Sequence, residues 1–216
     1  MSFQLASAIA KRRLFYSGKK GGVGYKVKNN PLLTKEEVDE AEWLSNYYPA
    51  PFELDGTKYA TSEHRFQSQR FKRGPRLESN EMKEKRMQFA AEIAAAKTAN
   101  TAFMMARYVS FRKKDNRPYV KTPFPSQNWI RDVIMGYYNK GLMKFEDNHA
   151  SDFSIMVEAN RAKFSQNPVL RAKLIATRSD ELIEHTKRDS LWGDGGDGTG
   201  ANALGRALMQ VRSELM

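Results

Sequence analysis

Trp192-Gly193-Asp194-Gly195-Gly196-Asp197-Gly198-Thr199-Gly200-Ala201-Asn202 is the stretch around which the rest of the chain is organised. Five glycines in eight residues let the backbone take positive φ and come close to a neighbouring group. Leu204, Leu208, Val211 and Leu215 follow at i, i+4, i+7 and i+11, the spacing of a helix with one buried face. The loop thus leads into a helix N-terminus, whose amides and dipole favour an anion such as a phosphate. Trp192 offers a flat face for stacking a ring, and Asp194 and Asp197 offer two carboxylates. A Gly/Asp-rich surface turn ahead of a terminal helix is the plainer reading of the same residues. Calcium fits poorly, because the EF-hand ligand spacing and its closing glutamate are missing.

The 216 residues fit one domain, or one domain with an appended arm, and can bury a sizeable core. The chain has no cysteine, which removes disulfides, a thiolate nucleophile and cysteine zinc sites. No apolar run approaches the length that spans a bilayer. Phe3 to Ala10 is too short for a signal peptide and its charges follow it. An intracellular protein, cytoplasmic or nuclear, with no membrane partner is therefore expected. The formal charge is +11, and basic residues exceed acids most before Asn29, around Arg65 to Arg86, and from Arg107 to Lys121. Such an excess favours polyanionic partners, nucleic acid or phosphorylated ligands, over a merely soluble basic surface by no wide margin.

Residues 1–28 carry seven basic side chains and no acid. Leu14-Phe15-Tyr16 reads as a short strand, and Gly18 to Gly24 as a flexible loop lacking the Gly-Lys-Ser/Thr ending of a phosphate loop. Thr34 to Trp43 has a capping box and reads as a short helix. Asp55-Gly56, flanked by Phe52-Glu53-Leu54 and Thr57-Lys58-Tyr59, predicts a hairpin. Thr61 or Ser62 then caps a helix reaching about Phe71. Further helices are predicted from Ser79 or Asn80 (Met82, Phe89, Ala90, Ile93), from Ser126 (Trp129, Val133, Tyr137) and over Asp152 to Phe164. Phe153, Met156, Val157, Asn160 and Phe164 share one stripe of the last. Asn167-Pro168 starts another helix, anchored by Leu170 and Leu174, and Glu181 to Thr186 alternates like a strand. Arg112 to Pro118 is a basic turn.

Glu63, Phe66, Gln67 and Arg70 lie at i, i+3, i+4 and i+7, on one helix face. One acid, one amide, one cation and one aromatic suit a pocket wall better than a core or a solvent face. The alternative use of Glu63 is as a first-turn partner of the helix dipole. His64, His149 and His185 are too scattered for a metal site, and no metal or cofactor is expected.

Four stretches in order carry a resemblance: Leu44-Ser45-Asn46-Tyr47-Tyr48-Pro49; Ser62-Glu63-His64-x-Phe66-Gln67 with Arg70-Phe71; Arg161-Ala162-Lys163-Phe164-Ser165-Gln166-Asn167; and His185-Thr186 through Asp189 and Trp192–Asn202 to Leu204-Gly205 and Leu208-Met209. Together they resemble the YbiA-like, or NADAR, superfamily, over roughly residues 12–17 and 44–216. The resemblance implies a compact α+β fold, mostly helical with a small β-sheet, and cleavage of N-glycosidic bonds. It also implies two substrate classes: ADP-ribose on the guanine amino group of DNA or RNA, and ribosylamino-pyrimidine phosphates of riboflavin synthesis. The chain is expected to form a single domain over 1–216, with a basic N-terminal arm and an insertion at about 18–42. Arg70 stands where lysine is common in that motif, and the segment between Ser17 and Leu44 is long for the family.

Cleaving an N-glycoside passes through a ribosyl cation, which calls for a carboxylate, a nucleophile or activated water, and help for the departing nitrogen. Glu63 is the first candidate for the carboxylate and Asp194 the second. Lys163 reads by position alone as an exposed helix lysine. The matching motif makes it a phosphate contact or, if desolvated beside another cation such as Arg161 so that its pKa falls, an amine nucleophile. Substrate contacts are expected from Ser45, Asn46, Phe66, Gln67, Arg70, Trp192, Gly193, Asp197, Gly198 and Asn202. The partner is then ADP-ribosylated nucleic acid or a phosphorylated ribosyl small molecule, the charge favouring the former. A non-catalytic ADP-ribose or nucleotide-binding module needs Trp192 and the glycines but not Glu63. A plain nucleic-acid binder is disfavoured, because no known reader motif appears.

Overall fold

Leu14 and Phe15 close a short strand, β1 (Arg12–Phe15), in a computed structural model that describes residues 12–15, 41–72, 80–106, 109–111, 118–120 and 149–216. Most of the expected basic arm, the bulk of the 18–42 insertion, most of the Thr34 to Trp43 helix, the Arg112 turn and the Ser126 helix lie outside the described residues. At the end of the first of these helices, Glu42–Leu44 is a 3-10 turn burying Trp43 and Leu44.

The hairpin falls where Asp55-Gly56 places it. β2 (Phe52–Leu54) pairs antiparallel with β3 (Thr57–Tyr59). Asp55 and Gly56 take φ of 52° and 68°, the left-handed pair that lets a two-residue turn follow the strand twist. Helix α1 (Ser62–Lys72) starts behind Thr61, whose hydroxyl accepts the His64 amide at 3.4 Å. α2 (Asn80–Ala94) buries Phe89, Ala90 and Ile93 along one side. α3 (Ala99–Ala106) has no long apolar stripe to announce it; Thr98 caps it, accepting the Thr101 amide at 3.0 Å. β4 (Val109–Phe111) and β5 (Pro118–Val120) pair antiparallel on either side of the basic turn.

α4 (His149–Gln166) follows, then α5 (Pro168–Ala176), with Asn167 at the N-cap and Pro168 in the first turn. β6 (Glu181–Glu184) pairs parallel to β1, Arg12 opposite Glu181 and Phe15 opposite Glu184. α6 (Ala203–Leu215) ends the chain with Leu204, Leu208 and Val211 buried. The described strands thus form three two-stranded sheets, two antiparallel and one parallel, beside six helices. This is an α+β fold, mostly helical.

Two units divide these elements: Met1–Tyr48 with Phe164–Met216, and Pro49–Lys163. In the first, α6 lies against β6 so closely that a Cβ on Gly205 would collide with the Leu182 carbonyl. Arg212, buried, donates to Thr177 Oγ1 and to the Asp180 carbonyl, both at 2.8 Å, and so ties α6 to the turn after α5. Trp43 meets Phe164 edge to face at 6.0 Å. In the second unit Phe52, Tyr59, Ala94, Ala159 and Ala162 form one buried cluster. Arg65 holds α1 to the hairpin: it donates to Asp55 Oδ2 at 2.9 Å and to the Tyr59 hydroxyl at 3.3 Å. Among the described residues no helix is long and apolar enough to cross a membrane.

Candidate active site

Within the Pro49–Lys163 unit, α1 carries Glu63, Phe66, Gln67 and Arg70, and α4 carries Lys163. Glu63 and Gln67 are both buried one helical turn apart, and Gln67 Nε2 donates to Glu63 Oε1 at 2.7 Å. A carboxylate held by an amide donor keeps a fixed geometry, which a residue serving the helix dipole alone does not need. Phe66 is buried on the same helix, with the Arg70 guanidinium over its ring at 5.9 Å. Next to Glu63 in sequence, the Ser62 hydroxyl donates to Asn160 Oδ1 of α4 at 3.1 Å. The two helices are therefore stitched together at the level of Glu63.

One turn beyond Asn160 on α4 stands Lys163, with 0 % of its surface exposed. Burial alone pulls its ammonium pKa from 10.5 down to about 7. Lys163 is therefore no exposed helix lysine, and the desolvation expected of it, with no contribution from Arg161, is the cause of its lowered pKa. The consequence is chemical: near neutral pH a large fraction of this amine is unprotonated and able to attack an electrophilic carbon.

The glycine-rich loop belongs to the other unit and is built around Asp194. Its Oδ1 accepts the amides of Thr186 at 3.0 Å and Gly196 at 2.8 Å, and its Oδ2 faces His185 Nδ1 at 2.7 Å. Its backbone carbonyl accepts the Gly198 and Gly200 amides, and its own amide donates to Glu184. Asp194 is thus the hub that folds the loop, a use that competes with any task at a sugar. Gly196 has φ of 80°, and a Cβ there would press on Lys187 Cα at 2.9 Å, so the loop needs glycine at this point. Gly193 is equally tight, since a Cβ would lie 2.8 Å from the Glu184 carbonyl.

The anion site expected at the start of α6 is not formed in this way. The amides of Asn202, Ala203 and Leu204 already donate to the carbonyls of Gly193, Leu191 and Trp192. Asn202 itself has φ of 48° and bridges to β6, accepting from the Glu184 amide and donating to the Leu182 carbonyl. Asp197 is exposed and accepts from the Thr199 amide and hydroxyl, which lowers its pKa. Gly198 has open space where a Cβ would be, with φ of 85°. Trp192 is half-buried, its amide fixed by Asp189 Oδ1 at 2.8 Å. Ser45 and Asn46 are buried beside the 3-10 turn, Ser45 Oγ accepting the Tyr47 amide at 3.1 Å.

Comparison with known proteins bears on this arrangement. The NADAR domain matches residues 32–216. The chain belongs to the NADAR family. Among NADAR-related proteins, the N-glycosidase YbiA of Escherichia coli (strain K12) is 33% identical over 172 residues, 80% of this chain and 80% of that protein. A riboflavin biosynthesis protein of Vibrio vulnificus (strain YJ016) is 31% identical over 195 residues, 88% of this chain. The chain spans only 41% of the length of that protein. The solved NMR structure of E. coli YbiA shares the fold, with a TM-score of 0.50 at 24% identity, covering 97% of this chain and 90% of that one.

Asn160 is the residue that sequence reasoning missed. It sits in a stripe with Phe153, Met156, Val157 and Phe164, so its periodicity reads as core. Its amide among apolar neighbours was the available signal, because a buried polar side chain needs a partner.

Proposed function

We propose that the protein is an N-glycosidase that removes ADP-ribose from modified guanine in nucleic acid. The observation that carries this reading is Lys163, buried with its pKa near 7, one turn from the residue that ties α4 to the Glu63 helix. The Lys163 amine forms a bond to the anomeric carbon as the bond from that carbon to the base nitrogen breaks. The departing nitrogen takes a proton, and Glu63 is placed in the proton-transfer role. The sugar ring opens to a protonated imine on Lys163. Water then adds to the imine, and the carbon–Nζ bond breaks to release free sugar and the amine. The net reaction is hydrolysis. Phe66, Gln67 and Arg70, on the Glu63 helix, keep their proposed role as substrate contacts.

The choice of nucleic acid rests on the charge of +11, which a small phosphate ester would not require. A second reading is supported by the names of relatives in riboflavin biosynthesis. There the same chemistry acts on a ribosylamino-pyrimidine phosphate. One experiment separates them. Purified protein is incubated with an ADP-ribosyl-guanine oligonucleotide and, separately, with the pyrimidine phosphate, and free ribosyl product is followed by mass spectrometry. Binding of the oligonucleotide should weaken with salt, by roughly 0.7–0.9 in the slope of log K against log salt per phosphate neutralised. Salt-insensitive binding, or cleavage of the small ester alone, transfers the assignment to the second reading. No cleavage of either leaves the binding-module reading.

A further inference from the structure

Among the described residues of α1 and α4, three buried side-chain polar atoms have no hydrogen bond, on Arg65 (Nε), Gln67 and Asn160, and the last two are uncharged amides. Gln67 gives its Nε2 to Glu63, and its Oε1 is buried without a hydrogen bond. Asn160 accepts from Ser62 through Oδ1, and its Nδ2 is buried without a hydrogen bond. The two side chains are 3% and 0% exposed. Folded proteins leave few buried polar atoms unmade, because each forfeits its bond to water and gains nothing in return. The amide of Gln67 is fixed by the carboxylate it donates to, so the atom left over is an acceptor. The atom left over on Asn160 is a donor.

An acceptor on α1 and a donor on α4, the helix that carries Lys163, call for a group that both donates and accepts. A hydroxyl does both, a vicinal diol does so twice, and an apolar or purely anionic group does not. We infer that Gln67 and Asn160 form a hydroxyl-recognition subsite for the ribosyl group, reading the hydroxyls next to the anomeric carbon that Lys163 attacks. The inference rests on the N-glycosidase reading, and it holds for either substrate class, since both carry a ribosyl group. It makes these two amides the residues that select ribose over 2-deoxyribose. A site built to bond a hydroxyl rejects the analogue lacking it, because the amides are then left buried and unpaired.

The test compares rates on the ADP-ribosyl-guanine oligonucleotide and the ribosylamino-pyrimidine phosphate with rates on their 2-deoxyribosyl counterparts at the cleaved sugar. Each rate is divided by the uncatalysed rate of the same compound. Wild-type protein is expected to favour the ribosyl form at least about a hundredfold. Asn160→Leu, of similar size and without the donor, is expected to narrow that ratio at least about tenfold by slowing ribosyl cleavage more than deoxyribosyl cleavage. Equal slowing of both would mark Asn160 as structural and overturn the inference. Equal acceleration of both sugars by wild-type protein would overturn it while leaving the glycosidase reading intact. No cleavage of any compound would remove that reading and the subsite with it. If Asn160→Leu does not fold, the wild-type ratio decides alone.

Discussion

Replacing Lys163 by methionine should stabilise the protein and abolish its activity, and the pH dependence of the gain is calculable. The amine's pKa is about 7 in the folded state against 10.5 for the free group. Between those values the unfolded chain binds more protons than the folded one, so stability rises with pH across this window and is flat below it. Each pKa unit corresponds to about 1.4 kcal/mol. Burying the amine therefore costs on the order of 4 kcal/mol at pH 7, and raising the pH to 9 should recover about 2 kcal/mol of it. Methionine fills a similar volume without the charge and has no such term. The assay is urea unfolding of wild type and Lys163→Met at pH 6, 7, 8 and 9, followed by tryptophan fluorescence. The difference in unfolding free energy should favour the variant at pH 6 and 7 and shrink by about 2 kcal/mol at pH 9. Other titrating groups, present in both proteins, cancel in the difference. A difference that stays constant with pH would refute the claim that burial lowers the pKa of Lys163.

Glu63→Gln should lower kcat by on the order of a hundredfold or more with little change in KM, because the lost group serves proton transfer and not ground-state binding; steady-state kinetics checks this. Asp194→Ala should destabilise the protein by at least about 2 kcal/mol, since the Thr186 and Gly196 amides lose their acceptor; a thermal melt reads it, and an unchanged Tm would remove Asp194 from its place as loop hub. His64 gives a pH effect of its own. Its Nε2–H donates to the Ala96 carbonyl, its Nδ1 accepts from Thr61, and burial lowers its pKa below 6.5. The stability of the neutral ring is fully present above pH 6.5 and is lost as the pH falls through the folded value, so His64→Gln should show a shallower acid limb in unfolding.

Much of the backbone was legible, for local reasons. Asp55-Gly56 admits one turn type, and Leu204, Leu208 and Val211 mark one face whatever the surroundings. α3 was not legible, since its only start signal is Thr98 and its buried residues are mostly alanines. Of the candidate site, local spacing was legible and surroundings were not. Helix spacing placed Glu63 beside Gln67, but nothing in Arg-Ala-Lys-Phe says that the lysine loses all contact with water, which depends on distant packing. The engagement of Asp194 was hidden for the opposite reason. A carboxylate among glycines looks available to a ligand, yet glycines also leave backbone amides open, and here those amides consume it. The same economy disposes of the anion site at α6, whose leading amides close the loop on itself.

The most direct measurement of the central claim is borohydride trapping at Lys163. Sodium borohydride is added while the protein turns over the ADP-ribosyl-guanine oligonucleotide, and the digested protein is mapped by mass spectrometry. A ribosyl adduct on Lys163, together with an inactive Lys163→Arg protein, is the expected result, since arginine stays protonated and cannot form the imine. No adduct on Lys163 during turnover, together with a Lys163→Arg protein that retains activity, would contradict it and leave Lys163 as a charge contact.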